Sequence, residues 1–387
     1  MVAARSPTAE TSLNPGPIRV LVVTPRFFPE VGGVETHTLE ITRRIAERAD
    51  INVTVLTTDR SGALPSVEEG EGYTILRCRS YPRRSDYYFA PAIYRRILDG
   101  NYHLVHCQGI HTATPILAIA AARRYNIPYV VTFHTGGHSS GLRRLLRNTH
   151  WRLLGPMLRD AAILVAVSPF ERRLLARLCR LDSSKIRVVP NGGGLPADIT
   201  GGEGRIPGRI VSVGRLERYK GHQRVIQAMP AVRRTYPDAT LRILGSGPYE
   251  RKLRALVAKL GLVDCVAVEY IPAGNREGMA VSLGRAAVLA TLSDYESHPV
   301  AVIEALAAGV PAVALEVAGL VDLVADGLVE GIPRNATSAT IARTLIDVLG
   351  RGSAPPVPDL PTWNAAASAV ADIYLEAAGI LSGRYGQ

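Results

Sequence analysis

Residues 18–36 read IRVLVVTPRFFPEVGGVET, and the order of features in this stretch decides the fold. A short apolar run, Ile18–Val23, leads through Thr-Pro to the glycine pair Gly32-Gly33. A helix-periodic segment, Val34–Ala49, follows directly. A short apolar run is typical of a strand buried on both faces of a parallel sheet. A strand followed by a helix is the repeating unit of a doubly wound α/β domain.

The alternation continues along the chain and then begins again. In the first half it predicts helices over Thr112–Arg124 and from Pro169, and strands at Val53–Leu56, Tyr73–Cys78, Leu104–His106, Tyr129–Phe133, Ala162–Val167 and Ile186–Val189. In the second half it predicts helices from His222, Tyr249 and Val300, and strands at Ile210–Val213, Leu241–Leu244, Val266–Glu269, Ala287–Thr291 and Ala312–Leu315. The fold class is therefore α/β with two Rossmann-like domains.

Composition shifts set the predicted domain boundaries. We expect a disordered lead-in at 1–16, a first domain at 17–195, a Gly- and Pro-rich linker at 196–208 and a second domain at 209–360. A last amphipathic helix, Trp363–Ala378, falls within 361–380. In paired domains of this kind, ligands bind at the carboxyl ends of the strands. The sequence therefore predicts a site in the cleft between the domains.

Composition narrows the class of protein. The chain has 387 residues, 47% of them apolar and 20% charged, which excludes a largely disordered protein. Its four cysteines are scattered, which argues against a zinc ribbon or a disulfide scaffold and favours a reducing compartment. No apolar run approaches the roughly 20 residues of a membrane span, and the N-terminus has no signal-peptide core. These features predict a cytoplasmic protein.

The chain is basic, with 45 Lys and Arg against 34 Asp and Glu, a net charge of +11. A basic surface favours anionic partners, which are nucleotide phosphates, nucleic acid or an acidic membrane. A high-GC genome also favours arginine and is an equal alternative cause of the charge. Nucleic-acid binding is disfavoured, because the sequence has neither a helix-turn-helix pattern nor an aromatic platform. Residues Gly141–Arg159 (GLRRLLRNTHWRLLGPMLR) alternate Leu and Trp with Arg. They predict a helix that either faces the core, which we favour, or lies on an anionic membrane.

Several motifs can bind an anion or a nucleotide. Gly32 and Gly33 stand at a strand-to-helix turn, where backbone amides attract anions, although an ordinary turn gives the same pattern. Gly245-Ser246-Gly247 with Glu269 resembles a nicotinamide fingerprint, but Glu250 replaces its third glycine. An NAD-dependent oxidoreductase is therefore the rival enzyme.

Charged side chains after strands of the second domain suit a sugar nucleotide. Arg215 and Lys220 (VGRLERYKGH) are placed to hold a diphosphate. Glu296 and Glu304 (ESHPVAVIE) are carboxylates among apolar residues, and carboxylates accept hydrogen bonds from sugar hydroxyls. Capping of the helix is the structural alternative for Glu304.

His134 ends a strand of the first domain and points to the cleft. No set of side chains has metal-ligand spacing, so we expect no metal.

At these motifs the chain resembles the retaining, nucleotide-sugar-dependent glycosyltransferases of family 4, which have the GT-B fold of two facing Rossmann domains. The similarity extends from Ile18 to about Tyr374. Its most specific part is the Glu-x7-Glu stretch with the following Ala-x-Gly-x-Pro; the other matching segments are PRFFPEVGGVETH, VVTFHTGG, VAVSPFE, KIRVVPNGGG, VGRLERYKGH, ILGSGP and TWNAAASAVADIYLEAAG.

The resemblance implies a role for each position. Gly32 and Gly33 would face the diphosphate and the acceptor, and Arg215 with Lys220 would hold the donor diphosphate. The resemblance also implies that Glu296 binds the donor sugar, that Glu304 binds the ribose, that His134 lies beside the transferred sugar, and that Ser297, His298, Pro299 and Val300 complete the donor site. The last helix would cross back over the first domain. Catalysis would rest on His134, Glu296, Arg215 and Lys220.

Three departures from the family pattern bear on the donor. Ser297-His298-Pro299 replaces a glycine-rich tripeptide, and Asn191-Gly192-Gly193-Gly194 lacks the usual Asp. The stretch 318–322 reads AGLVD in place of Gly-Gly-x-x-Glu. The donor base and sugar stay open for these reasons.

The resemblance implies front-face transfer of a hexosyl-type group, with retention at the anomeric carbon. The donor would be a nucleoside-diphosphate sugar, with no cofactor, and the acceptor a hydroxyl of a small molecule, a glycan or a lipid-linked molecule. A monomer or a homodimer is expected, with contact to the inner membrane face through Gly141–Arg159 as an alternative for a lipid-linked acceptor. A non-catalytic GT-B homologue acting as a partner subunit is the second rival reading.

Overall fold

The computed structural model describes residues 16–30, 32–83, 88–135, 151–194, 204–272, 275–352 and 359–379. Most of the predicted lead-in and of the predicted linker lie outside these residues. The described chain forms two sheets, one of eight strands and one of six.

The first sheet has the order β3-β4-β2-β1-β5-β6-β7-β8. Its strands are β1 (Ile18–Val23), β2 (Ile51–Asp59), β3 (Val67–Glu69), β4 (Thr74–Arg79), β5 (Leu104–Gln108), β6 (Tyr129–Thr132), β7 (Ile163–Ala166) and β8 (Ile186–Val188). Neighbouring strands are parallel except for β3 and β4. In β1 all side chains but Arg19 are buried, because helices cover both faces of the sheet.

The helices of this half are α1 (Gly33–Ala46), α2 (Ala92–Asp99), α3 (Ala113–Arg124), α4 (helical over 151–159) and α5 (Pro169–Cys179). Local sequence explains where α5 begins. Ser168 Oγ accepts a hydrogen bond from the Glu171 amide at 3.2 Å, and Pro169 occupies the first turn, where no amide donor is needed. A 3₁₀ turn at Ser183–Lys185 leads into β8.

The second sheet is wholly parallel, with the order β11-β10-β9-β12-β13-β14. Its strands are β9 (Arg209–Val213), β10 (Thr240–Leu244), β11 (Val266–Glu269), β12 (Val288–Thr291), β13 (Ala312–Leu315) and β14 (Glu330–Ile332). Its helices are α6 (His222–Thr235), α7 (Glu250–Lys259), α8 (Arg276–Gly284), α9 (Val300–Ala307), α10 (Leu320–Ala325) and α11 (Ser338–Arg351), with a 3₁₀ turn at Arg218–Lys220. The two facing parallel α/β units have the GT-B architecture, as predicted.

The last helix, α12 (Trp363–Ala377), packs on the first unit, as predicted. Trp363 and Tyr374 are almost fully buried in the same apolar cluster as β1 and α1. Arg44 on α1 donates to Asn364 at 2.7 Å. The chain therefore starts and finishes its described part in the first unit, and the second unit is inserted before α12.

Direct contacts join the two units beside their facing edges. Thr135, just after β6, hydrogen-bonds through its Oγ1 to Ser297 Oγ at 2.6 Å and accepts from Tyr295 Oη at 2.8 Å. Asp322 on α10 accepts from the Phe170 amide at 2.6 Å. These bonds hold the carboxyl ends of the two sheets towards each other.

Candidate functional site

A cavity of about 310 Å³ lies between the two units, at the carboxyl ends of β6, β7 and β9 to β12. This is the place where open α/β sheets bind ligands. Every residue that the sequence analysis assigned to the site lines this cavity: Gly32, Gly33, His134, Arg215, Lys220, Glu296, Ser297, His298, Pro299, Val300 and Glu304. The structure thus brings them together from both units, while their individual roles stay predictions.

Lys220 forms an ion pair that the sequence analysis did not predict. Its Nζ lies 2.7 Å from Glu296 Oε1. Burial alone would lower the pKa of Lys220, but the Glu296 carboxylate and the neighbouring Tyr219 together outweigh burial and keep that pKa above its usual value. Gly221 follows with a φ of 77°, and a side chain there would collide with the Leu292 carbonyl. The glycine therefore lets the chain turn so that the ammonium faces the cavity.

Arg215 is the second cation of this wall. Its Nη1 lies 3.2 Å from Glu217 Oε1, and its Nη2 donates to Tyr219 Oη at 3.4 Å. Burial opposes its charge, yet the neighbouring Tyr219 and Glu217, with Glu35 of the first unit, leave the pKa of Arg215 raised. Both cations therefore stay charged at the carboxyl end of β9, where an anionic group of a ligand can be held.

Glu296 shares one carboxylate oxygen between two donors. Its Oε1 accepts from Lys220 Nζ and from Ser293 Oγ, the latter at 2.8 Å. Its Oε2 accepts no hydrogen bond from the described residues. The carboxylate is thereby fixed by one oxygen, and the other is available to a hydroxyl donor in the cavity.

Glu304 is the more deeply buried carboxylate, with 3% of its surface exposed. Burial raises its pKa, although the Arg276 guanidinium, which hydrogen-bonds to its Oε1, acts in the opposite direction. Arg276, at the start of α8, also lies 3.9 Å from Glu40 Oε1 of the first unit. The sequence analysis missed Arg276, since a lone arginine after a loop carries no motif.

His134 closes the cavity from the side of the first unit. Its Nε2 lies 2.8 Å from Gln108 Oε1, and its ring packs edge-on against His37 with centroids 4.7 Å apart. Burial, with smaller effects of His37, His111 and His106, lowers the pKa of His134 well below its usual value. The imidazole is therefore neutral at physiological pH, and it is a hydrogen-bonding group rather than a cation.

Two sequence families match the two units in turn. The model described as Glycosyltransferase Family 4 matches residues 31–192, and the model described as Glycosyl transferases group 1 matches residues 206–351. The chain is 27% identical over 354 residues to the phosphatidyl-myo-inositol mannosyltransferase of Mycobacterium leprae, covering 86% of this chain and 87% of that one. The chain belongs to the GT-B glycosyltransferases.

Further relatives agree with this assignment. The glycosyltransferase is 27% identical over 302 residues to the GDP-mannose:cellobiosyl-diphosphopolyprenol alpha-mannosyltransferase of Xanthomonas campestris, covering 76% of this chain and 77% of that one. Its fold matches that of Anabaena Alr3699/HepE, solved in complex with UDP and glucose, with a TM-score of 0.66 at 17% identity. That match covers 95% of this chain and 98% of the other.

The two adjacent glycines of the glycosyltransferase, Gly32 and Gly33, differ in why a side chain is absent. A side chain at Gly32 would collide with the Glu35 carboxylate, which is itself paired with Arg26 Nε at 2.7 Å. A Cβ at Gly33 would meet no atom of the described residues within 4 Å. Packing among the described residues therefore accounts for Gly32 but not for Gly33.

The unusual tripeptide Ser297-His298-Pro299 joins the two units. Ser297 Oγ donates to the Thr135 carbonyl at 2.6 Å, and the His298 carbonyl accepts from Asn191 Nδ2 at 2.6 Å. Burial lowers the pKa of His298 to about 4, and its Nδ1 is buried without a hydrogen-bond partner in the part of the chain that the structure describes. The residues that replace flexible glycines thus fix this wall of the cavity against the first unit.

The rival nicotinamide reading meets an obstacle in the glycosyltransferase. Gly245 and Ser246 line the cavity, but Glu269 does not. Glu269 forms an ion pair with Arg242 instead, so the carboxylate expected to bind a ribose is already engaged.

The structure tests only part of the segment Gly141–Arg159. Arg143, Arg144 and Arg147 lie outside the described residues. Within 151–159, Trp151, Leu154 and Leu158 are buried, whereas Leu153 is 74% exposed. The described turns therefore face the core, as favoured from the sequence. Among the described residues, no helix has the length and apolar composition needed to cross a bilayer.

Proposed function

We propose that this enzyme transfers a hexosyl-type group, with retention of configuration, from a nucleoside-diphosphate sugar to an acceptor hydroxyl. The observation that carries the proposal is the arrangement of Arg215 and Lys220 with Glu296 and Glu304 around one interdomain cavity. Cations suit a diphosphate, and carboxylates suit the hydroxyls of ribose and sugar.

In this proposal the donor lies along the wall formed by the second unit. Its diphosphate is held by Arg215 and Lys220, its ribose by Glu304, and its sugar by Glu296 with His134 facing it from the first unit. Ser297, His298, Pro299 and Val300 complete the wall at the start of α9, where the free amides of the helix add positive potential. The acceptor enters beside Gly33.

Departure of the nucleoside diphosphate is the step that these residues would accelerate. The bond from the anomeric carbon to the phosphate oxygen breaks, and negative charge accumulates on that phosphate. Two preorganised cations stabilise this charge without reorganisation. The Lys220–Glu296 pair also links the leaving phosphate to the sugar, because Lys220 binds the phosphate in this proposal and its partner Glu296 binds the sugar.

Retention without a covalent intermediate is the course that the cavity favours. The carboxylates among its described lining residues are Glu35, Glu296 and Glu304, and each has a cationic partner. A nucleophile held in an ion pair is a weak one. Front-face attack by the acceptor hydroxyl avoids the need for it, and the departing phosphate then accepts the acceptor's proton.

The acceptor is proposed as a class only. A small molecule, a glycan or a lipid-linked molecule each offers the required hydroxyl. Nucleotide sugars are made in the cytosol, so we place the reaction there. A small-molecule acceptor is preferred because the described part of α4 packs inward.

A donor screen tests the proposal. Purified enzyme is mixed with UDP, GDP, ADP and dTDP sugars, and its thermal stability and the release of nucleoside diphosphate are measured. A true donor at 100 times its dissociation constant should stabilise the protein by about 2.7 kcal/mol. Stabilisation by one class, with release that depends on acceptor, is the expected result. Stabilisation by NAD and by no sugar nucleotide would contradict the proposal.

A further inference from the structure

His134 is the first of several buried polar groups that extend away from the cavity. Its Nε2 lies 2.8 Å from Oε1 of Gln108, a buried residue at the end of β5. The amide nitrogen of Gln108 lies 3.4 Å and 3.5 Å from the ring nitrogens of His106. His106 in turn contacts Tyr374 Oη of α12 at 2.7 Å and Thr132 Oγ1 at 2.8 Å. These contacts place the amide nitrogen of Gln108 beside the His106 ring and its oxygen beside His134.

The chemistry of these groups determines the tautomer. An amide oxygen only accepts hydrogen bonds, so the His134 Nε2 that faces it must carry the proton. A neutral imidazole has one ring proton, which leaves Nδ1 with a free lone pair. Nδ1 of His134 makes no hydrogen bond to the described residues, and His134 lines the cavity. The nitrogen left for a ligand is therefore an acceptor.

We propose that Gln108 is a positioning residue that holds His134 as the Nε2–H tautomer, so that Nδ1 accepts a hydrogen bond from a hydroxyl of the transferred sugar. This inference rests on the proposed function and adds a specificity to it. A sugar with a hydroxyl at the position facing His134 satisfies Nδ1. A sugar deoxygenated there leaves a buried acceptor unpaired, which selects against it.

The surroundings of His134 keep the ring neutral. The titratable groups that act on it are all histidines: His37 on α1, His106 on β5 and His111 after β5. Each disfavours a second proton on His134, and burial acts in the same direction. A carboxylate at residue 108 would act against burial and the three histidines, because its negative charge would favour the doubly protonated His134 ring.

The tautomer can be read in the wild-type enzyme without any assay of transfer. Long-range proton–nitrogen correlation spectra of protein labelled with ¹⁵N-histidine distinguish protonated from unprotonated ring nitrogens, and His134→Asn identifies the signals of His134. We expect Nε2 protonated and Nδ1 unprotonated near pH 7.5. A protonated Nδ1, alone or in an imidazolium, would overturn the inference.

The variant Gln108→Glu tests the functional consequence. Its carboxylate should raise the pKa of His134, and below that new pKa Nδ1 becomes protonated and can no longer accept. The ratio of its kcat to the wild-type kcat should then fall by about tenfold per pH unit on the acid side. Gln227→Glu, the same change at an exposed position of α6, should give a ratio that does not vary with pH.

The outcomes separate this inference from the proposed function. A pH-independent ratio for Gln108→Glu, in a folded protein that transfers sugar, contradicts the role of Gln108 alone. If no donor supports transfer, the proposed function fails, whereas the spectra of the wild-type enzyme still decide the tautomer.

Discussion

Replacement of Lys220 by alanine should lower the rate of transfer at least tenfold and also weaken the second unit. The wild-type ammonium lies 2.7 Å from Glu296 Oε1, with only 17% and 14% of the two side chains exposed. Removing one partner of a fully buried pair costs about 3–5 kcal/mol, and the partial exposure here reduces that to about 2 kcal/mol. For a unit of this size the midpoint of unfolding should fall by about 4–8 °C.

The effect on catalysis comes from a different interaction. Losing a charged hydrogen bond to the donor diphosphate should cost about 1.5–3 kcal/mol, which is a fall in kcat/KM of about 10- to 150-fold. Steady-state rates of nucleoside diphosphate release measure it. Lys259→Ala removes the same charge from an exposed position of α7 and serves as the control.

The double variant Lys220→Ala/Glu296→Ala separates the two effects. It removes the uncompensated carboxylate, so more than half of the lost stability should return while the rate of transfer stays at or below that of Lys220→Ala. A Lys220→Ala enzyme with kcat/KM within threefold of wild type would refute the assignment of Lys220 to the donor site. A double variant less stable than both single variants would refute the electrostatic argument.

Three further predictions concern the ribose site, the glycine pair and membrane binding. Glu304→Gln should weaken binding of the nucleoside diphosphate at least tenfold by calorimetry, since its carboxylate is assigned to the ribose hydroxyls; unchanged affinity would count against that role. Gly33→Ala should leave thermal stability unchanged but lower kcat/KM, whereas Gly32→Ala should lower stability because its Cβ meets the Glu35 carboxylate; equal behaviour of the two variants would be inconsistent with the different causes given above. Sedimentation with anionic liposomes should show no strong binding, and salt-sensitive binding that is lost on changing Arg143, Arg144 and Arg147 to Glu would reverse the preference for a small-molecule acceptor.

The strands with a clear apolar run could be predicted closely. The predicted helix from Pro169 begins at that residue, and the predicted strand Ile18–Val23 matches β1. Ser168 and the following proline are a local signal for the start of the helix. The nearly continuous apolar run of residues 18–23 is a local signal for the strand. Both signals involve residues that are adjacent in the chain, so they can be recognised without knowing the fold.

Elements without such a signal were missed. Strand β3 is only three residues of VEE, and β14 is three residues of EGI, too short for any period to appear. Helices α2, α8, α10 and α11 were also not predicted. The helix α10 has six residues, and its position depends on packing against β13 and β14. Tertiary contacts therefore decide β3, β14 and α10. Helix α11, in contrast, has a local signal that was overlooked, since the Thr337 side chain caps it by accepting from the Thr340 amide.

Site residues were predictable where a motif carries them, and partners were not. Glu296 and Lys220 were both found, but their ion pair joins positions 76 residues apart. Arg276 and Gln108 gave no signal, because each acts through a neighbour that only the folded chain supplies. Thr135 lies in the matching segment VVTFHTGG, but its contacts with Ser297 and Tyr295 were not predicted. Motifs thus identify which residues line the cavity, and the structure shows how those residues are held.

The anomeric configuration of the first-formed product tests the central claim most directly. Once the screen has identified a donor and an acceptor, proton NMR of the reaction at early times gives the coupling constant of the new glycosidic linkage. The account predicts the same configuration as in the donor, together with release of a nucleoside diphosphate. An inverted linkage would contradict it, because the cavity would then be catalysing a single displacement from the opposite face.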